Sequence, residues 1–263
     1  IEPTKIINSS AYYSFDANTK TLTISGKGRT PNFTNSSGDT TSQPWFYWRS
    51  DGSIEHIVVE DGITSLGNYF FYGVSCTDIK LADSIESIGG YAFSGAQIEH
   101  IKLPDKLKYI NNDAFYFCDN LKEIVFPKSI SSIGTSAFEN CSVLSKVSFE
   151  AMGNELTISS RAFFKCPLLK RVDVPSLAKL SKYSFGYEKA SVDGTYDGFT
   201  LGVYSGSKAY NYAQSSFINY ELLNEIAIEE GDVASRTYTE DNLSEQTVYK
   251  FTPNSSSQYT FKS

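Results

Sequence analysis

Two short apolar patterns recur along the chain and stay in phase. The first places apolar residues at the first, fourth and sixth positions of a segment. It reads Ile54, Ile57 and Val59, then Ile98, Ile101 and Leu103, then Leu121, Ile124 and Phe126, then Leu169, Val172 and Val174. Shorter copies carry Ile79 with Leu81 and Val147 with Phe149. The anchors at 57, 79, 101, 124, 147 and 172 lie 22, 22, 23, 23 and 25 residues apart. The second pattern is Ile88-Gly-Gly-Tyr-Ala92-Phe93, repeated at Ile110 to Phe115, Ile133 to Phe138 and Ile158 to Phe163. Leu66 to Phe71 and Leu180 to Phe185 are weaker copies. Six units with two locked series identify an internal repeat, the feature to be sought before any other.

The pattern dictates the local structure. Alternation at Ile57 and Val59 predicts a strand with one face inside. Pro104, Pro127 and Pro175 end their strands, because proline cannot donate to a ladder. The Ile-Gly turn reverses the chain and the Ala-Phe block brings it back. Alanine fits where coils approach closely, and phenylalanine fills the space between them. A unit of this length cannot bury its own apolar face, so the units must stack. Successive strands then lie about 4.8 Å apart in a parallel sheet. The expectation is a mainly β solenoid of about six coils over 54–223. It carries one parallel sheet and short helical or 3-10 turns on the opposite side.

The flanks read as caps. Residues 12–25 predict a hairpin from Tyr13 and Phe15 to Leu22 and Ile24, within a cap of residues 1–53. Residues 201–223 predict a strand and a short helix with Ser207 as its N-cap. Residues 224–263 carry no repeat. Eight acids and one base lie between Glu221 and Glu245, which accounts for the whole net charge of −7. Beyond them, Thr247–Pro253 and Tyr259–Phe261 predict a hairpin around a polar turn. It resembles the opening of bacterial pre-peptidase C-terminal domains, with an extra hairpin packed on the repeat stack as the alternative.

The motif L-x-x-I-x-L-P…I-x-x-I-G-x-x-A-F-x-x-C in residues 54–185 resembles the leucine-rich repeats of the BspA family of bacterial surface proteins. The cap residues Pro44 and Trp45 agree with that likeness. The resemblance implies a right-handed solenoid on a secreted or surface-exposed bacterial protein, with the signal peptide absent from this chain. It also implies binding of host matrix proteins or of other bacteria.

Composition narrows the chemistry. The chain outside the acidic stretch is close to neutral, so no basic patch offers counterion release on nucleic acid. No apolar run approaches the ~20 residues of a membrane helix. No G-x-S-x-G, H-E-x-x-H or Walker loop occurs. Two S-x-x-K tetrapeptides, at Ser176 and Ser205, lack the companion motifs of that chemistry. The loop Asp193 to Gly198 reads as turn chemistry or as a weak calcium loop. Cys118, Cys141 and Cys166 share one repeat position with Val74 and Ala96, which predicts small buried residues and free thiols. Cys76 stands out of register.

The candidate binding surface is the outward face of the strands. One row is His56, Asp78, His100, Glu123, Lys146 and Arg171. Its neighbour is Val58, Lys80, Lys102 and Val125, continued by Ser148 and Asp173. The two histidines are two coils apart, about 9–10 Å by strand spacing, so the row reads as a solvated ladder and no metal or cofactor is expected. A rigid face of mixed charge suits a protein ligand, with a glycan as the other class. The alternatives are a spacer or targeting arm of a larger secreted enzyme, and an enzyme within these residues.

Overall fold

A computed structural model describes residues 2–33, 43–191 and 194–223, with the backbone of the strands Glu225–Ile228 and Val248–Phe251. Asp193 and the Tyr259–Phe261 half of the expected C-terminal hairpin lie outside the described residues. Val248–Phe251 pairs in parallel with Glu225–Ile228.

The repeats form a β solenoid. Ala11–Asp16 and Thr21–Gly26 make the expected antiparallel hairpin. Thr21–Gly26 then pairs in parallel with His56–Val59, which pairs with Asp78–Lys80. Register follows the sequence anchors: Ile57 lies opposite Ile79, and Ile124 opposite Val147.

The strand face departs from the single sheet expected. Glu123–Phe126 pairs with Lys146–Phe149, and Arg171–Asp173 with Thr200–Val203 and then Tyr220–Leu222. Residues 100–103 form no strand, although Ile101 and Leu103 stay buried. The paired stretch in the middle is the one with two phenylalanines at the second inward position. Phe126 and Phe149 stack with centroids 5.0 Å apart. The ladder is interrupted on both sides of residues 100–103 and again between Lys146–Phe149 and Arg171–Asp173.

The Ile-Gly arm holds a second parallel sheet that the sequence pattern did not predict. Its seven strands run from Gly28–Arg29 through Ile63–Leu66, Ser87–Ile88, Tyr109–Ile110, Ser132–Ile133 and Leu156–Ile158 to Ala178–Leu180. Where glycine follows the apolar residue, at Gly67, Gly89 and Gly134, the backbone of the preceding coil crowds it. A Cβ on Gly89 would lie 2.5 Å from the carbonyl carbon of Gly67 in the preceding coil.

The Ala-Phe block turns the chain without starting a helix. A left-handed residue precedes each phenylalanine by two: Tyr69, Tyr91, Asp113, Ser136, Arg161 and Tyr183, all with φ between 54° and 60°. Between coils, Tyr69, Phe71 and Gly73 donate their N–H groups to Gly90, Ala92 and Ser94. The pattern repeats down the stack, as at Phe115 to Ala137 (2.7 Å) and Phe138 to Ala162 (2.7 Å). Inside, the phenylalanines form one column. From Phe93 through Phe115, Phe138 and Phe163 to Phe185, ring centroids are 4.6–5.0 Å apart and the rings are nearly parallel.

The cysteines are free and buried. Cys118, Cys141 and Cys166 each aim a thiol at the phenylalanine carbonyl of the preceding coil, at 3.1, 3.3 and 3.2 Å. The caps complete the core. Trp45 packs on Phe70 and Phe71, and buried Gln43 donates its amide to the carbonyls of Tyr69 and Phe70. At the other end, Ser207 accepts from Tyr210 N–H at 3.0 Å and starts the helix Lys208–Ser215.

Candidate binding surface

Strand alternation decides which side chains face out. With Ile57 and Val59 inside, His56 and Val58 point outward, and the same rule places Asp78 and Lys80 on the next coil. The parallel register sets these residues side by side, His56 opposite Asp78 and Val58 opposite Lys80. His100, Glu123, Lys146 and Arg171 continue the first row, and Lys102 and Val125 the second, although the backbone ladder is interrupted at residues 100–103.

The first row is a chain of exposed polar and charged side chains in pairs. His56 Nδ1 lies 3.9 Å from Asp78 Oδ2, and His100 Nδ1 lies 3.8 Å from Glu123 Oε1. Lys146 Nζ approaches the other oxygen of Glu123 at 3.6 Å. Arg171 binds Asp173 through Nε at 2.8 Å and Glu221 through Nη1; Glu221 is the strongest influence holding its guanidinium pKa above the ordinary value. Each histidine thus has its own acid. Among the described residues no three His, Cys, Asp or Glu side chains converge as a metal site would require. Exposed pairs of this kind add little stability, since water screens them.

Further ion pairs lie outside these rows. Lys20–Glu55 and Glu99–Lys122 lie at the start of the strand arm, Glu86–Lys108 and Glu155–Lys179 on the second sheet. Their carboxyls sit below the ordinary pKa because each accepts a hydrogen bond from its lysine.

The thiols offer no nucleophile. Burial pushes Cys76 and Cys166 up to about 12 and Cys118 and Cys141 further in the same direction. A thiolate is the reactive form, so these groups are inert at neutral pH.

Sequence reasoning missed two features. One is an aromatic edge along the left-handed turns, where Tyr69 and Tyr91 stack at 4.7 Å and Tyr91 meets Asp113. Burial is the main cause that raises Tyr91 to about 12 and also raises the Asp113 carboxyl. The signal was present, since the position two before each phenylalanine reads Tyr, Tyr, Asp, Ser, Arg, Tyr. The other is open space beside residues 100–103, about 710 Å³ on one side and about 410 Å³ on the other.

Residues 42–156 match the family model for the BspA type leucine rich repeat region in six copies. The repeat region belongs to the BspA-type leucine-rich-repeat family. Among solved structures, the chain is similar to a leucine-rich repeat protein from Eubacterium ventriosum, at 21% identity and a TM-score of 0.48, over 85% of this chain and 65% of that one. A leucine-rich repeat protein from Bacteroides ovatus gives 22% identity and 0.48, over 87% and 60%. A leucine rich cell surface protein from Faecalibacterium prausnitzii gives 17% and 0.47, over 77% and 55%. The chain therefore spans less than two thirds of each of these structures. No curated protein matches it. Among the described residues no helix is long and apolar enough to cross a membrane.

Proposed function

We propose that the protein is a non-enzymatic binding module of a bacterial surface or secreted protein, and that it recognises a macromolecular partner through its strand face. The observation that carries this reading is the pair of outward rows, His56 to Arg171 and Val58 to Val125. Each coil adds two outward residues to a backbone held by the continuous second sheet and an internal phenylalanine column. Outward residues of such a face can vary without touching the core, which suits recognition. Mixed charge with two exposed or half-exposed valines, Val58 and Val125, fits a protein ligand. Membership of the BspA-type family supports the same class of role.

The test is a binding screen of the purified chain against host matrix proteins and glycans. A ligand found there should lose affinity with Glu123→Ala and Lys146→Ala on the strand face. It should keep its affinity with Glu86→Ala and Lys108→Ala on the second sheet. The opposite pattern would refute the assignment of the face.

A further inference from the structure

The strand face has an opening in it. Among the described residues, no hydrogen bond joins the backbone of His100, Ile101, Lys102 or Leu103 to either neighbouring coil. The last inter-coil bonds before this arm are Gln97 N–H to Val74 C=O and Lys122 N–H to Glu99 C=O. The rest of the coil stays bonded. The second sheet runs unbroken from Ser87–Ile88 through Tyr109–Ile110 to Ser132–Ile133. In the turn block, Phe93 N–H still reaches Ala114 and Phe115 N–H reaches Ala137. The coils are therefore splayed on one side only.

Two slots result, and the arm 100–103 is the wall between them. The larger lies between Asp78–Asp83 and Lys102–Pro104, the smaller between His100–Asp105 and Glu123–Pro127. The core shows at their floor. Ile79, Leu81, Ile101 and Leu103 are 4–7% exposed, whereas Ile57, Ile124 and Phe126 are at 0–1%. Extended backbone with both edges unpaired must find partners for its N–H and C=O groups, in water or in another chain. A free edge above an apolar floor is the arrangement that captures an extended peptide by strand addition.

Charge selects the occupant. Glu60, Asp61, Asp78 and Asp83 line the larger slot against Lys80 and Lys102. Asp105, Glu123 and Glu150 line the smaller against His100 and, again, Lys102. The openings are net negative. We infer that the arm 100–103 is the docking point for an extended, lysine- or arginine-bearing segment of a protein partner. The segment's main chain pairs with the free edge, an apolar side chain covers Ile101 or Leu103, and its cations meet the acids of the rim. This rests on the strand-face reading above and narrows it to one place and one chemistry.

The experiment uses the whole chain and a heptapeptide of alternating lysine and valine, with a glutamate–valine peptide as the charge-reversed probe. Calorimetry should detect the lysine peptide and not its acidic counterpart. Asp78→Asn combined with Asp83→Asn should weaken binding roughly tenfold. Lys102→Pro, which deletes one N–H, should weaken it similarly, while Lys102→Ala should not. Melting temperatures check that each variant folds. Should Lys102→Pro fail that check, hydrogen exchange on the unaltered chain decides, because the amide of Lys102, on the paired edge, should become protected only with the lysine peptide present. Equal binding of both peptides, no binding, or unchanged exchange at Lys102 would overturn the inference. A dimer in sedimentation that the peptide does not displace would assign the slots to a second copy, and would also overturn it. These failures differ from failure of the wider reading, in which a screened ligand would be insensitive to Glu123→Ala and Lys146→Ala.

Discussion

Phe138 and Phe163 lie face to face with ring centroids 5.0 Å apart and planes 2° from parallel, although 25 residues separate them in the chain. The coils carrying them are bonded on the same level, Phe138 N–H to Ala162 C=O at 2.7 Å. Ring stacking and backbone bonding therefore share one repeat distance, and neither can relax without the other.

Phe115→Ala should be among the most damaging single substitutions. Its ring is fully buried and stacks on Phe93 and Phe138, so truncation opens a cavity that costs about 3–5 kcal/mol. Thermal melting against Lys122→Ala, an exposed change, measures this. Equal shifts would contradict the column.

Gln43→Ala should destabilise the N-terminal end by about 1–3 kcal/mol, because it leaves the buried carbonyl of Phe70 without its donor. Hydrogen exchange should quicken first at the coil of residues 54–76. Uniform quickening along the whole stack would place the effect elsewhere.

The thiols give a direct chemical test. Alkylation without reductant should add no label to the native chain and four labels in denaturant, since all four cysteines are buried and free. Two labels in denaturant would reveal a disulfide. Cys141→Ala should cost little, because the phenylalanine carbonyl its thiol meets, that of Phe115, also accepts the N–H of Cys118.

Asp113 supplies a pH dependence. Burial raises its carboxyl in the folded chain above the unfolded value. The charged form is then disfavoured by folding, so the cost is present above the folded pKa and vanishes as pH falls below the unfolded one. Asp113→Asn should raise the melting temperature near neutral pH and lose that advantage at about pH 3. An advantage independent of pH would mean that the carboxylate charge is not the cause.

The coil and its column were legible because they rest on side-chain volume repeated in register. Phenylalanines at 71, 93, 115, 138, 163 and 185 could do nothing but stack. The cysteine column was legible through its exchange with Val74 and Ala96. The second sheet was not, since arms such as Ser87–Ile88 and Ser132–Ile133 contribute two residues each, too few to show alternation. Nor was the opening at 100–103, where Ile101 and Leu103 keep the apolar pattern and only the backbone departs from it. Gln43 reaches Phe70 across 27 residues, and no periodicity announces such a bond.

The turn blocks carry one further implication. In every one, N–H groups point toward the following coil and C=O groups toward the preceding coil, as at Phe71 to Ala92 and Phe93 to Ala114. Their peptide dipoles add along the stack instead of cancelling, as they do along a helix. The solenoid therefore has a polarity like that of a bar magnet, with an acceptor pole at its start and a donor pole at its end. Gln43 and the Phe33 N–H, which donates to Asn68, suit the first pole and would be useless at the second. The two closing segments cannot be exchanged, whereas a coil inserted anywhere between them leaves both poles as they were.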